Sequence, residues 1–216
     1  MLPARLSKLD IQKHYRWIAP MHDVAAFLLE SKARRCCLQW ADIQNGETIL
    51  EVAVGTGLTF KEVLKQNPTG HNTGLDLTPA MLTRAKNRAK PFAPTSYTLE
   101  QGDAYTLPYA DASFDLVLNN YMFDLLPETD MTQVLQQFKR VLRPGGRLVM
   151  TTLAPARRFP QQVWDALYRL HPAILGGCRG VSVSPFLEDV GFINVRQVHI
   201  SQLTFPSEVV MGLCPK

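Results

Sequence analysis

The chain has 216 residues, 46% of them hydrophobic and 19% charged, a composition that suits one globular domain with its own core. Its formal net charge is +4, and no window approaches the ~18 consecutive apolar residues of a spanning helix. Arg5, Lys8, Asp10 and Lys13 interrupt the N-terminus where a signal peptide would need an apolar run. Cys36, Cys37, Cys178 and Cys214 show neither metal nor disulfide spacing, so reduced thiols and a cytoplasmic location are expected.

Residues 1–46 precede the first strand and are expected to form a helical lid or flank. They hold most of the charge asymmetry: residues 1–40 carry seven basic side chains (Arg5, Lys8, Lys13, Arg16, Lys32, Arg34, Arg35) against three acids (Asp10, Asp23, Glu30). This excess fits either a solvated helical face or peripheral attraction to an anionic phospholipid surface at the inner membrane face. No basic-aromatic stripe accompanies it, which argues against a nucleic-acid partner.

Residues 47–216 read as one compact unit of alternating strands and helices. Thr48–Val54 is an apolar run ending at glycines, the pattern of a strand buried on both faces. Thr59–Gln66 predicts a short helix and His71–Leu77 a second strand. Thr78 and Pro79 are placed as the cap and first residue of the next helix. Ser96–Glu100 and Phe114–Asn119 fit two further strands. Glu128–Leu142 has helical apolar spacing, and Arg143 to Gly146 reads as a turn before a fifth strand, Arg147–Thr152. Pro185–Val190 reads as a helix. Phe192–His199 and Leu203–Leu213 then form a final pair whose short connection requires antiparallel pairing. The expected fold is α/β: a Rossmann-like, seven-stranded, mostly parallel sheet with an antiparallel last strand, helices on both faces and an N-terminal helical lid.

The first strand runs into Gly55-Thr56-Gly57, where the backbone can turn tightly and approach a ligand. Such sheets bind ligands at the carboxyl ends of their strands, where strand order reverses. Glu51 offers a carboxylate suited to a cationic amino group. Asp76, 19 residues after Gly57, is placed to accept from two ribose hydroxyls. A dinucleotide fingerprint needs a small residue where Phe60 stands, and its pyrophosphate needs an open helix N-terminus. The loop therefore suits a nucleoside with no phosphate and one positive charge. Asp103 and Ala104 follow the third strand and read either as a Gly-Asp turn or as partners of an adenine edge.

Four ordered blocks, ILEVAVGTG, GLDLTPAMLTRAKNRA, GDAYTLPYADASFDLVLNN and FKRVLRPGGRLVMTT, resemble the signatures of class I S-adenosylmethionine-dependent methyltransferases over roughly residues 47–152. Ala53 stands where many members have glycine. That departure resembles the menaquinone/ubiquinone-biosynthesis methyltransferases and their phospholipid N-methyltransferase relatives. The resemblance implies S-adenosylmethionine as cofactor. It places Glu51, Ala53, Gly55, Thr56 and Gly57 around the methionine end, Asp76 on the ribose, and Leu77 and Met81 in the pocket beside Asp103 and Ala104. Asn119 falls near the sulfonium. The implied acceptor is a small molecule or lipid, with a quinol-type ring or a phospholipid amine as the leading classes.

A carbon or oxygen nucleophile must lose a proton, so a base is useful, whereas a neutral amine needs none. Candidates at the pocket mouth are Tyr15 and His22, with His14 and Asp23, from the lid, and Tyr121 and Asp124 after the fourth strand. Each also reads as a surface, capping or packing residue. Arg157, Arg158, Cys178 and Arg179 lie in the stretch that shapes the acceptor site in this family, while His171 and His199 read as structural. Two other readings stay open: an NAD-linked oxidoreductase, and a cofactor-binding protein without turnover.

Overall fold

The computed structural model describes residues 8–156, 159–170 and 177–216, without the side chains of residues 8–22, 24, 25 and 160. Its elements in chain order are α1 (Lys8–Ala41), β1 (Thr48–Val52), α2 (Leu58–Gln66), β2 (His71–Asp76), α3 (Pro79–Ala89), β3 (Tyr97–Gln101) and β4 (Phe114–Asn120). They continue as α4 (Glu128–Val141), β5 (Leu142–Leu153), α5 (Phe159–Leu170), α6 (Ser184–Asp189), β6 (Ile193–Gln202) and β7 (Phe205–Leu213).

Ile49, Leu50 and Val52 are fully buried, so β1 is covered on both faces and belongs at the centre of the sheet. The strand order is β3-β2-β1-β4-β5-β7-β6. β1 pairs in parallel with β2 on one side and with β4 on the other, which makes the β1/β4 seam the point where strand order reverses. β7 is antiparallel to both β5 and β6, as the short connection between the last two strands requires.

Helices cover both faces. α4 buries Met131, Val134, Leu135, Phe138 and Val141 beneath β1, β4 and β5, each such side chain contributing about 1.5–3 kcal/mol. The second half of α1 lays Ala33, Cys37 and Ala41 on Ile49, Leu116, Leu118, Val149 and Val209 of the opposite face. From Lys8 to Ala41 the flank before β1 is one long helix whose carboxyl half is part of the core.

Three local readings are corrected. β1 stops at Val52 rather than Val54, because Ala53 takes a left-handed φ of 58°. Arg143 to Gly146 lie within β5: Leu142 pairs with Phe114, Arg147 pairs with Leu116, and the residues between bulge out. Gly145 N–H and Cys214 N–H donate to the Cys214 and Gly146 carbonyls across this bulge, which keeps it in the sheet. The third is α5, an element absent from the sequence reading. Its outer side chains Phe159, Val163 and Leu170 are exposed while Trp164 packs edge-on against Phe205 at 5.1 Å.

Candidate functional site

The carboxyl ends of β1, β2 and β4 converge on the loop Ala53–Gly57. Val54 N–H donates to the Leu75 carbonyl at 3.0 Å, and Gly57 N–H returns to the Val54 carbonyl at 2.9 Å. Gly57 has φ 80°, and a Cβ there would meet Ala85 Cα at 3.1 Å, so glycine fits both the turn and the contact with α3.

Asp76, at the end of β2, is buried. Its Oδ2 accepts from Gly55 N–H at 2.7 Å and its Oδ1 from Thr78 N–H at 2.8 Å, so one carboxylate ties the glycine loop to the start of α3. Burial pushes its pKa up, and the hydrogen bonds from Thr78 and Gly55 oppose this. Glu51 is buried beside it, with Oε2 lacking a hydrogen-bond partner among the described residues. Burial first, then the charge of Asp76, hold the Glu51 carboxyl well above the usual carboxylate range, against the pull of Arg34 and Asn120. A buried carboxyl with an unfilled oxygen suits an incoming ammonium group.

On the neighbouring strand Asn119 donates to the Val52 carbonyl at 2.9 Å, which leaves its Oδ1 buried and without a partner among the described residues. Leu77 is half-buried just past β2, and Met81 is buried on the first turn of α3. Asp103 Oδ1 accepts from Tyr105 N–H at 3.1 Å, so the Gly-Asp turn is real, and Ala104 beside it is buried. Arg140 anchors that loop by donating to the Leu107 and Tyr109 carbonyls, which explains much of the third sequence block as architecture.

Thr56 is buried, and its hydroxyl donates to Asp23 of α1 at 2.5 Å. Arg88 of α3 completes the clasp: Nη2 lies 2.6 Å from Asp23 Oδ2, and Nη1 donates to the Thr56 carbonyl. The glycine loop is thus held to α1 through Asp23. The side chains of Tyr15, His22 and His14, and residues Arg157, Arg158 and His171, lie outside the described residues.

Beyond β4 stands a second polar group. Tyr121 takes φ 51°, and its hydroxyl is 2.8 Å from Ser207 Oγ. Burial, then the charge of Glu30, hold that phenol well above its ordinary range, so it stays protonated. Asp124 is fully buried. Burial drives its pKa up to about 7, although Cys178, the backbone of Asp124 and Leu153, and the charge of Arg179 favour ionisation. The half-buried Glu30 of α1 is also pushed up to about 7, by burial and then by Asp124. Arg179 is only 1% exposed.

Glu30 and the burial of Arg179 were missed from sequence. A signal existed for Glu30: it falls on the helical stripe Ala26, Ala33, Cys37, Ala41, where an acid is out of place. His199 Nε2 lies 3.2 Å from Glu208 Oε1 between β6 and β7, consistent with a structural role.

Phe60 also finds its explanation here. It is buried on α2 against Val54, Leu82, Ala85 and Leu99, with Tyr97 edge-on at 6.3 Å. Gly74 of β2 supplies the room, since a Cβ there would come 3.3 Å from Phe60 Cε2. The small residue that a dinucleotide fold puts on the helix stands here on the strand.

A family model described as a methyltransferase domain matches residues 49–146. The chain is 34% identical over 154 residues to a demethylmenaquinone methyltransferase of Tropheryma whipplei, covering 69% of this chain and 62% of that protein. It therefore spans less than two thirds of that relative's length. It is 31% identical over 175 residues to a demethylmenaquinone methyltransferase of Listeria welshimeri, covering 77% and 72%. Among solved structures, phosphoethanolamine N-methyltransferase 2 of Haemonchus contortus, in complex with phosphomonomethylethanolamine and S-adenosylhomocysteine, superposes with TM-score 0.76 at 13% identity. That alignment covers 100% of this chain and 62% of the neighbour, and shares the fold. With this fold, this glycine loop and these relatives, the chain belongs to the class I S-adenosylmethionine-dependent methyltransferases.

Proposed function

We propose that the chain transfers a methyl group from S-adenosylmethionine to a small or lipophilic acceptor, a quinol-type ring or a phospholipid amine. The observation that carries this reading is the pairing of Asp76 and Glu51 beneath the Ala53–Gly57 loop: one carboxylate ordered by Gly55 and Thr78, the other buried with an unfilled oxygen. In this reading Glu51 faces the ligand's amino group, with Ala53, Gly55, Thr56 and Gly57 around its methionine end. Asp76 accepts from the ribose, Leu77 and Met81 pack beside the adenine, and Asp103 and Ala104 meet its edge. Asn119 Oδ1 lies near the sulfonium. The bound cofactor supplies an electrophilic methyl with a thioether leaving group, and the protein contributes orientation, worth several kcal/mol at about 3 Å approach.

On the acceptor side, Tyr121 and Asp124 are the described candidates, with Tyr15 and His22 supplied by the lid formed by residues 1–46. The demethylmenaquinone methyltransferase relatives favour the quinol-type ring. Incubating the protein and methyl-labelled cofactor with lipid and aqueous extract fractions tests the reading: label should enter the lipid fraction and a reduced demethylated quinone. Incorporation into neither contradicts it and leaves the reading of a binding protein without turnover.

Contact with an anionic bilayer from the cytoplasmic side is the second proposal. Phe27 and Leu28 of α1 are 66% and 48% exposed, and Leu203 in the β6–β7 turn is 69% exposed. Gln202 joins these elements by donating to the Leu28 carbonyl at 2.6 Å, and the exposed Lys32 and Arg35 stand nearby along α1. Among the described residues no helix is long and apolar enough to cross a membrane, so the contact is peripheral. Flotation with anionic vesicles should carry the protein up, and equal flotation with neutral vesicles contradicts the electrostatic part.

A further inference from the structure

Asp124 and Arg179 are deeply buried opposite charges beyond β4, yet no hydrogen bond joins their side chains. Asp124 is 0% exposed, and its carboxylate is met by Cys178 and by the backbone of Asp124 and Leu153 rather than by a hydrogen bond from Arg179. Arg179 is 1% exposed and donates through Nη2 to the Leu126 carbonyl at 2.5 Å, while Nε and Nη1 have no partner among the described residues. Each nevertheless feels the other's charge. Unfilled donors enclosed beside a buried carboxylate are costly to a fold, and a loose ion pair recovers little of that cost.

Neither residue is free to rearrange. Arg179 N–H donates to the Asp124 carbonyl at 3.2 Å, and Val181 N–H donates to the Leu153 carbonyl at 2.9 Å. Between them Gly180 lies against the end of β5 so closely that a Cβ would meet Pro155 Cα at 2.8 Å and Ala154 O at 2.9 Å. The backbone is thus pinned on both sides of the guanidinium.

We propose that Asp124 and Arg179 together form an acceptor-oxygen site: Asp124 takes the proton of an acidic hydroxyl on the acceptor, and Arg179 holds the oxyanion that remains. The O–H bond breaks, its proton goes to an Asp124 oxygen, and the electron pair stays on the acceptor oxygen against the donors on Nε and Nη1. That pair either attacks the methyl group directly or drives attack through the ring, in which case the ring carbon's proton leaves afterwards to water. The inference rests on the methyl-transfer reading and deepens it, because such a pair suits an enol or phenol. An amine acceptor gains nothing from a neighbouring guanidinium. The groups that act on Asp124 are the Cys178 side chain, the backbone of Asp124 and Leu153 and the charge of Arg179, and Asp124 in turn raises Glu30 of α1 and Tyr121 just past β4.

The test uses 2-naphthol, whose long-wavelength absorbance reports its own ionisation. The chain saturated with S-adenosylhomocysteine is titrated with it between about pH 6 and 10. Bound naphthol should ionise about one pH unit or more below free naphthol, and R179Q should abolish that difference. R179K, which keeps the charge, should retain part of it and stands in if R179Q fails to fold. D124N should lower the ionisation further by removing a negative neighbour. Equal ionisation in wild type and R179Q overturns the site, as does tighter binding of 2-naphthylamine than of 2-naphthol. A chain that binds S-adenosylhomocysteine but no naphthol overturns this site alone. Failure to bind S-adenosylhomocysteine overturns the methyl-transfer reading beneath it.

Discussion

Asp76 Oδ2 accepts a hydrogen bond from Gly55 N–H at 2.7 Å, so the end of β2 sets the shape of the loop that follows β1. The same carboxylate caps the entry to α3 through Thr78. Asp76→Ala removes both charge-assisted bonds, each worth about 1.5–3 kcal/mol. The melting temperature should fall, and calorimetric affinity for S-adenosylhomocysteine should weaken by about tenfold or more. Asp76→Asn keeps one acceptor oxygen and should fall between the two; an alanine variant that binds normally would remove Asp76 from the pocket.

Glu51 gives a proton-linked signature. Its carboxyl is held well above the usual range in the ligand-free protein, and a nearby ammonium would lower it. Between the bound and free pKa values, binding must therefore release a proton, and affinity must rise with pH across that window. Calorimetry with S-adenosylmethionine in buffers of different ionisation enthalpy should show this release, and Glu51→Gln should abolish it. Identical heats in all buffers would contradict the role given to Glu51.

Asp124 makes stability fall as pH rises. Its folded pKa of about 7 lies above the ~4 of an unfolded aspartate, so the folded state binds more protons between them. The stabilisation is fully present below about pH 4 and is lost as pH climbs through 7. Replacing the carboxyl by a neutral amide removes that loss. The melting temperature of Asp124→Asn relative to wild type should therefore be higher at pH 8.5 than at pH 5.5, by the equivalent of roughly 1–3 kcal/mol. Parallel pH curves for the two proteins would show that Asp124 does not titrate inside the fold.

Phe60 and Gly74 behave as one packing unit. A Cβ at position 74 comes 2.6 Å from Leu99 Cδ2 and 3.3 Å from Phe60 Cε2. Gly74→Ala should destabilise by about 1–3 kcal/mol through overpacking, and Phe60→Ala by about 3–5 kcal/mol through the cavity left behind. The smaller Phe60→Leu should offset part of the Gly74→Ala loss. Strict additivity of the two in denaturant titrations would show that they do not share the space.

Much of this was legible in the sequence, for physical reasons. Central strands declare themselves as apolar runs, so β1, β2 and β4 are legible to within a few residues, and β5 from Arg147 onward. The loop announced itself through Gly55 and Gly57, and the antiparallel end through the short connection before Phe205. What stayed hidden depended on contacts distant in sequence. The β5 bulge needs the C-terminal Cys214 to hold it, and the room for Phe60 comes from Gly74 on another element. Asp23 reads as a lid candidate at the pocket mouth, and its bonds to Thr56 and Arg88 emerge only when α1 brings it onto the loop. Arg179, surrounded by glycines and small residues, carries no local sign that it is buried 55 residues after Asp124.

Titration calorimetry of the purified chain with S-adenosylmethionine, alongside its demethylated product and NADH, tests the central claim most directly. The pocket geometry predicts one-to-one binding of S-adenosylmethionine and S-adenosylhomocysteine, severe weakening in Asp76→Ala, and no heat with NADH. No binding of either sulfur ligand, with an unchanged melting temperature in their presence, would contradict it.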